Sequence, residues 1–326
     1  MKKIMIGFCL AVLCLSFLGE AFGAGIARDY SVWLEELKED ALSTGIKSAT
    51  LDLALADVKP LDSIIKLDRA QPEFTKTLAE YLAGAVTAER VKEGQLLLAQ
   101  NSDIFARIVK KYQIQPRFLL ALWAIETSFG RHTGRVPVID ALVTLAYDGR
   151  RSQYFRLELL KALKIIDQGL ISFLQMKGSW AGAMGQVQFM PSTFLDFAVD
   201  GNGDGRIDLW TTREDYLSSA ANYLFRSGWD QNYTWGREVT LQEELQESDF
   251  GLEQQRLLTE WQRLAVRTIG AENLPEVQHM ASLIRPDGPQ GRAFLVYDKY
   301  RVLLKWNRSH RFAITVGTLA DQIGNR

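Results

Sequence analysis

One carboxylate lies in the most apolar helical stretch of the chain after its N-terminal segment. Residues 118–131 (FLLALWAIETSFGR) repeat apolar side chains at helical spacing, and Glu126 falls on the flank of that apolar face. A buried charged carboxylate is costly, and desolvation raises the pKa of a carboxyl group, which suits a general acid near neutral pH. The structural alternative is a Glu126 that pairs with a buried arginine or caps a neighbouring helix.

A second stretch combines small residues with flat apolar and amide side chains. Residues 177–191 (KGSWAGAMGQVQFMP) hold glycines at 178, 182 and 185, which allow the backbone to approach another group closely. Its aromatic rings and amides together suit a sugar that bears acetamido groups. A tight helix–helix crossing would use the same small residues, so the stretch alone leaves both interpretations open.

A third stretch, residues 200–208 (DGNGDGRID), matches the first part of a calcium-binding EF-hand loop. The glutamate expected at position twelve is replaced by Thr211, so Glu214 or Asp215 from the next helix would have to close the site. The alternative is a solvated turn rich in Gly, Asn and Asp. The predicted loop ligands are Asp200, Asn202, Asp204 and the backbone carbonyl of Arg206.

Composition excludes several other classes of protein. The formal net charge is −1, so no basic excess indicates nucleic-acid binding. The sequence contains neither a Gly-x-Ser-x-Gly elbow nor a P-loop. Its three histidines are far apart, and both cysteines precede residue 24, which argues against a zinc site or a cysteine nucleophile. No second Asp or Glu has an apolar setting like that of Glu126, although the sequence does not exclude a two-carboxylate glycosidase with a second acid about 5–10 Å away.

The first 23 residues have the pattern of a cleaved secretory signal peptide. Two lysines precede an apolar run, and a small-x-small site ends at Gly23, so the mature chain is expected to start at Ala24. The run is about 15 residues, short of the roughly 20 that span a bilayer as an anchor. A lipoprotein signal needs a small residue directly before its cysteine. Leu13 precedes Cys14, which argues against lipidation.

Hydrophobic periodicity predicts a mostly helical chain with a small antiparallel β subdomain near its end. The chain contains no internal repeat. A helix that starts at Pro116 carries Glu126. The other predicted helices are 30–47, 51–58, 72–83, 88–99, 102–112, 138–147, 150–169, 212–226, 252–269 and 312–323. The predicted strands are 280–283, 293–297 and 301–306.

Several motifs in order along the chain resemble the lytic murein transglycosylase B family. They are 67–74 (LDRAQPEF), 121–130 (ALWAIETSFG), 178–185 (GSWAGAMG), 188–192 (QFMPS), 200–210, 221–224 (ANYL), 305–308 (KWNR) and 313–317 (AITVG). The resemblance implies a predominantly α (α+β) fold, with a lysozyme-like helical core, an added helical subdomain and a small antiparallel β subdomain. The corresponding ranges are 1–23 for the signal peptide, 24–105 for an N-terminal helical region, 106–229 for the core with its EF-hand-like loop 200–215, 230–306 for a helix and the β subdomain, and 307–326 for a segment that returns to the core.

The resemblance also implies an activity. Family members cleave the β-1,4 bond between N-acetylmuramic acid and N-acetylglucosamine in peptidoglycan and leave 1,6-anhydromuramic acid ends, with Glu126 acting first as acid and then as base. The implied location is the periplasm, and the enzyme is expected to be a monomer. Its implied partners are glycan strands and proteins of cell-wall synthesis or division. A structural Ca²⁺ is expected and no organic cofactor. The alternatives are a muramidase on the same fold and a non-catalytic peptidoglycan-binding protein, although a binding module has no need of a buried acid.

Matching positions in the family's motifs imply the residues that contact the substrate. Trp306 and Phe312 stand where close relatives have tyrosines, and the same alignment favours Asp215 over Glu214 as the last calcium ligand. The implied substrate contacts are Ser179, Gln188, Phe189, Tyr223, Asn307, Arg150, Arg151 and Tyr154.

Overall fold

The computed structural model describes residues 29–70 and 76–325, which form two compact units. The first unit comprises residues 29–70 and 122–223, and the second comprises 76–121 and 224–325. Each unit is therefore assembled from two separate stretches of chain. The predicted signal peptide, residues 1–23, lies outside the described residues, as does the start of the helix predicted at 72–83. The boundaries predicted at 105, 229 and 306 stay predictions.

Helices make up most of the described chain. No described helix has both the length and the apolar character that crossing a membrane requires. In chain order the helices are α1 (Tyr30–Ser43), α2 (Ser48–Leu55), α3 (Asp62–Ala70), α4 (Leu78–Ala85), α5 (Ala88–Gln100), α6 (Ser102–Tyr112), α7 (Pro116–Thr127), α8 (Val138–Tyr147), α9 (Ser152–Asp167), α10 (Pro191–Phe197), α11 (Arg213–Arg226), α12 (Leu258–Arg263), α13 (Asp298–Trp306) and α14 (His310–Ile323). The strands are β1 (Val136–Pro137), β2 (Lys177–Gly178), β3 (Gly236–Leu241), β4 (Gln255–Leu257), β5 (Val266–Thr268), β6 (Met280–Ile284) and β7 (Ala293–Val296).

The first unit is built around α8 and α9. Every residue of α8 from Val138 to Ala146 except Asp140 is buried, as expected of a helix that is apolar on all sides. Helix α9 packs along α8, and α2 and α10 pack against α9, while α3 packs against α8. Strands β1 and β2 pair antiparallel, with Val136 opposite Gly178. This short ribbon ties the start of α8 to the segment that begins at Lys177.

The second unit combines helices with a five-stranded antiparallel sheet in the order β4-β6-β7-β3-β5. The side chains of Trp261, Leu283 and Leu295 are fully buried in the core of the sheet. Helix α14 packs against α4, α5 and α13. Its approach to α5 is close, because a Cβ added to Gly94 would lie 2.6 Å from Cδ1 of Ile323.

The structure confirms the mostly helical prediction and the antiparallel β subdomain, but two elements were wrong. Residues 252–269 were predicted as one helix and instead form β4, α12 and β5. The buried Leu258 and Trp261 have helical spacing, but residues 255–257 pair with β6, and Ala265 (φ 58°) ends the helix in the left-handed region. Residues 301–306 were predicted as a strand and belong to α13, whose buried Tyr300 and Leu303 follow a helical period. Helix α3 was not predicted.

Candidate active site

Glu126 lies in the last turn of α7. Its side chain is buried, with 7% exposed. The helix ends directly after Thr127 because Ser128 (φ 52°) and Phe129 (φ 57°) both adopt left-handed backbone conformations, followed by Gly130 (φ 89°). Non-glycine residues adopt this conformation only where the surrounding structure holds them in it. The position of Glu126 is therefore set by contacts around the helix end.

Gln186 makes several of those contacts, whereas the sequence placed it only among the amides of a candidate sugar-binding stretch. Its side-chain oxygen accepts a hydrogen bond from the indole N–H of Trp123 at 2.7 Å, and its backbone carbonyl accepts one from the hydroxyl of Thr127 at 2.8 Å. The hydroxyl of Thr127 in turn accepts the N–H of Gly130 at 3.1 Å. The segment predicted to carry sugar-binding groups thus braces the helix that carries Glu126.

The close approach predicted for the glycines of this segment is confirmed. A Cβ on Gly178 would lie 2.1 Å from the carbonyl oxygen of Ala183, and one on Gly185 would lie 2.5 Å from that of Leu209. Gly182 approaches the side chain of Leu142 on α8 instead. The segment is not helical, so at Gly178 and Gly185 these contacts join backbone to backbone and do not form a helix crossing.

Seven of the eight predicted substrate contacts belong to the same unit as Glu126. Four of them come from the segment after Lys177 or from α11. The hydroxyl of Ser179 accepts the N–H of Ala183 at 3.1 Å. Gln188 adopts a positive φ of 52°, and its amide donates to the carbonyl of Gly185 at 2.9 Å. The rings of Phe189 and Tyr223 lie 6.1 Å apart between centroids.

Asn307 belongs to the second unit. Its side chain is buried, with 6% exposed, and its oxygen accepts the N–H of Ser309 at 3.0 Å. Its predicted contact with the substrate stays a prediction.

Arg150 and Arg151 share one buried carboxylate, that of Asp68 at the end of α3. Arg150 Nη1 lies 3.5 Å from Asp68 Oδ2 and donates to the backbone carbonyl of Asp68 at 3.2 Å, while Arg151 pairs with the other carboxylate oxygen. The side chain of Arg150 is 51% exposed and that of Asp68 only 1%. Tyr154 follows on α9 against the ring of Phe155, and burial raises its pKa well above the usual range.

A second buried carboxylate corrects the expectation that Glu126 had no counterpart. Glu158 on α9 is 5% exposed and accepts hydrogen bonds from the backbone N–H (2.9 Å) and the hydroxyl (2.6 Å) of Ser192. Burial raises the pKa of Glu158, and the bonds from Ser192 oppose that shift. Glu158 thus caps the start of α10, and no local pattern predicts this cap because the two residues are 34 positions apart.

The side chains of the Asp-rich loop bind its own backbone. Asp200 accepts the N–H groups of Gly203 (2.6 Å) and Gly205 (2.8 Å), and Asn202 accepts that of Asp204 at 3.0 Å. These hydrogen bonds hold three of the predicted ligands, Asp200, Asn202 and Asp204, in one tight loop. Within the described part of the chain, no group of three or more His, Cys, Asp or Glu side chains is arranged to hold a metal ion.

Asp215 joins the two ends of this loop. Its carboxylate is fully buried (0% exposed) and accepts the N–H of Gly201 and that of Asp208, each at 2.7 Å. Burial raises the pKa of Asp215, and the two backbone bonds oppose that shift. At position twelve, the backbone N–H of Thr211 donates to Asp208 at 2.9 Å.

The family of the chain follows from its similarity to known proteins. The model of the transglycosylase SLT domain matches residues 29–321, and the chain belongs to that family. It is similar to the membrane-bound lytic murein transglycosylase B of Escherichia coli (strain K12), with 34% identity over 195 residues, 57% of this chain and 54% of that protein. The match thus spans about half the length of this curated relative.

Solved structures extend the likeness over most of the chain. The structure of SltB3 from Pseudomonas aeruginosa in complex with NAG-anhNAM-pentapeptide superposes with a TM-score of 0.86 at 40% identity, covering 91% of this chain and 80% of that one. The Escherichia coli lytic transglycosylase Slt35 in complex with calcium gives a TM-score of 0.77 at 27% identity, covering 90% and 92%. These matches confirm the predicted family and the lysozyme-like, predominantly α fold.

Proposed function

We propose that this protein is a lytic transglycosylase that cuts the β-1,4 bond between N-acetylmuramic acid and N-acetylglucosamine and leaves 1,6-anhydromuramic acid ends. The observation that carries the proposal is a buried Glu126 at a braced helix end in a chain of this family. The complex of SltB3 with an anhydro-muramyl peptide supports the nature of the product, since SltB3 is 40% identical over most of this chain.

Glu126 alone would perform the proton transfers. Its carboxyl group donates a proton to the glycosidic oxygen, and the bond from that oxygen to C1 of the muramyl sugar breaks. The carboxylate then takes the proton of the muramyl C6 hydroxyl, whose oxygen forms a new bond to C1. Water is not consumed, and the nucleophile is tethered to the reacting sugar, which gives the advantage of an intramolecular reaction. The substrate's own acetamido carbonyl shields the cationic centre.

The contacts of the other buried carboxylates support a single catalytic acid. A glycosidase with two carboxylates needs them roughly 5–10 Å apart across the scissile bond. Glu158 is bonded to Ser192 at the start of α10, and Asp68 is paired with Arg150 and Arg151. Both acids have a structural task, and neither is left to activate water.

The remaining substrate contacts follow from the chemistry of the matched positions. We place Ser179 and Gln188 beside the reacting sugars. The rings of Phe189 and Tyr223 would lie against a sugar face. Asn307 would be a further substrate contact. Two arginines share one aspartate, so the Asp68 cluster carries one excess positive charge, and Arg150 exposes half of its side chain. That charge suits the carboxylates of a stem peptide, with Tyr154 nearby.

The Asp-rich loop would hold a structural calcium ion. The donor set fits a hard cation because it consists of oxygens alone, from Asp200, Asn202, Asp204, the carbonyl of Arg206 and Asp215. Asp215 is fully buried, and its carboxylate accepts the backbone N–H groups of Gly201 and Asp208. A bound cation would balance the negative charge of the Asp215 carboxylate and stabilise the loop.

Melting curves with calcium and with a chelator test the ion. Calcium should raise the melting temperature of the wild type and leave that of Asp204→Ala unchanged. An equal rise in both proteins would contradict the site.

The N-terminal pattern of residues 1–23 supports export to the periplasm, where peptidoglycan lies. Fractionation of cells that express the full chain tests this proposal. Recovery of the unprocessed chain in the cytoplasm alone would contradict it.

Digestion of purified sacculi, followed by mass analysis of the released muropeptides, tests the activity. A lytic transglycosylase gives anhydro ends, whereas a muramidase gives reducing ends that are heavier by one water per cut. Release of reducing ends alone would establish the muramidase, and binding of sacculi without any release would establish a non-catalytic protein.

A further inference from the structure

We propose that Gln186 is a positioning residue for Glu126: it fixes the last turn of α7 to the segment that leaves the Asp-rich loop. The inference rests on the proposed role of Glu126 as acid and base. Gln186 takes no part in the proton transfer and acts only through the helix end.

The side-chain amide of Gln186 bridges two elements. Its oxygen accepts the indole N–H of Trp123 at 2.7 Å, and its nitrogen donates to the backbone carbonyl of Trp210 at 2.8 Å. Trp123 lies three residues before Glu126, so the two side chains are neighbours on the helix surface. Both ends of the amide are thus used, and its orientation is fixed.

The backbone of Gln186 repeats the same bridge. Its carbonyl accepts the hydroxyl of Thr127 at 2.8 Å, and its N–H donates to the carbonyl of Leu209 at 2.7 Å. Thr127 directly follows Glu126 and is 1% exposed. Gln186 therefore makes two bonds to α7, one on each side of Glu126 in sequence, and two bonds to residues 209–210.

The end of α7 depends on such a brace. Ser128 and Phe129 adopt positive φ, and Gly130 approaches Gln186 so closely that an added Cβ would lie 2.3 Å from its side-chain oxygen. A left-handed run of this kind persists only when its surroundings hold it. Without the amide of Gln186, the last turn can rotate or fray, and the carboxylate of Glu126 moves with it.

Residues 209–210, at the other end of the bridge from α7, are themselves held in place. The carboxylate of Asp208 accepts the N–H of Trp210 at 2.7 Å, and Asp215 accepts the N–H of Asp208 at the same distance. A continuous series of hydrogen bonds thus runs from the buried Asp215 to Trp123. Gln186 is the link in this series that reaches the helix of Glu126.

Two substitutions separate the contributions of the amide. Gln186→Leu keeps the size of the side chain and removes both of its bonds. Gln186→Glu keeps the acceptor for Trp123 but removes the donor to Trp210. The matched control is Gln262→Leu, because the side-chain oxygen of Gln262 accepts the N–H of Leu274 at 2.7 Å in the second unit, away from Glu126 in the chain.

Initial rates on glycan strands of defined length, with kcat and KM measured separately, provide the test. Since a displacement of about 1 Å at a reacting group can cost roughly 100-fold in rate, we expect Gln186→Leu to lower kcat by about 10- to 100-fold with little change in KM. Gln186→Glu should also lower kcat, because a carboxylate oxygen then faces the backbone carbonyl of Trp210 where the amide donated. Gln262→Leu should keep the wild-type kcat. Circular dichroism gives the folded fraction by which each rate is divided.

Wild-type kcat per folded molecule in both Gln186 variants would overturn the inference, as would an equal loss in Gln262→Leu. If Gln186→Leu does not fold, Gln186→Glu decides alone by the same criterion. A wild type that releases no anhydro ends contradicts the proposed function itself. An active wild type with unaffected Gln186 variants contradicts only the role of Gln186.

Discussion

The two units bury opposite charges. Among the described residues, the buried acidic side chains all lie in the first unit and the buried basic side chains all lie in the second. The acids are Asp68, Glu126, Glu158 and Asp215, and the bases are Arg117 and Lys299. A buried charge of either sign is costly unless polar groups replace its water, so the contacts of each show what it does.

The second unit uses its buried bases to join elements. Arg117 forms an ion pair with Asp321 of α14, and Asp321 also accepts the indole N–H of Trp235 at 2.8 Å. Lys299 of α13 donates to the backbone carbonyl of Tyr233 and lies 5.5 Å from the ring centre of Phe118. These contacts are structural, and each reaches a separate part of the chain.

The first unit uses three of its acids in the same way. Asp68 holds two arginines, Glu158 caps α10 and Asp215 closes the Asp-rich loop. Glu126 differs in position, since it lies on a helix end whose neighbours, Trp123 and Thr127, are braced from outside. The comparison teaches that burial alone does not mark a catalytic acid, because three of the four buried acids in this unit hold neighbouring elements in place.

The largest expected effect separates Glu126 from the other buried acids. Glu126→Gln keeps the shape of the side chain but cannot transfer a proton, so we expect a loss of roughly 10²–10⁴-fold in the release of anhydro muropeptides. Glu158→Gln keeps an acceptor for Ser192 and should remain active. Equal losses in the two variants, or an active Glu126→Gln, would contradict this separation.

A matched pair of substitutions compares the ion pairs of the two units. Asp321→Asn leaves Arg117 buried, with 8% of its side chain exposed, and should cost about 3 kcal/mol of unfolding free energy. Asp68→Asn leaves Arg150 and Arg151, which are 51% and 23% exposed and can be hydrated, so about 1–2 kcal/mol is expected. Urea denaturation measures both. A larger cost for Asp68→Asn would reverse the comparison.

The smallest effect concerns the pH dependence of stability. The pKa of Glu158 in the folded state is raised above its usual value of 4.5, mainly by burial, so the folded protein binds this proton more tightly than the unfolded chain. Wild-type stability relative to Glu158→Gln should therefore decrease as pH rises from 4.5 through the folded pKa, and stay constant below 4.5. Urea midpoints for the two proteins across this range check the sign; a difference that increases with pH would contradict it.

Local signals in the sequence account for much of the fold. Helix α8 was predicted with its observed bounds because its apolar residues repeat with a helical period. Pro116 likewise predicted the start of α7, and the spacing of Asp, Asn and Gly predicted the Asp-rich loop, each from neighbouring residues alone. In residues 252–269, the same 3–4 spacing suggested a longer helix, and pairing of residues 255–257 with β6 overrode it. Strand pairing between distant segments is not visible in a local period.

The candidate site shows the same limit. Glu126 stood out because a lone acid in an apolar helix is unusual. The brace by Gln186 was not predicted, since it joins residues 63 positions apart. The shared partner of Arg150 and Arg151 lies more than 80 positions away on α3. The sequence predicted candidate groups for the chemistry, and the long-range hydrogen bonds around them came only from the fold.

The packing of α14 on α4 and α5 has a consequence for the order in which the chain is made. Helix α5 ends at Gln100, and α14 begins at His310. At ribosomal rates of about 5–20 residues per second, synthesis of the intervening stretch takes about 10–40 seconds. The first unit has all of its residues once position 223 has emerged. Until α14 is made, α4 and α5 lack the helix on which they pack in the final structure, so a chain that terminates before α14 has an incomplete second unit.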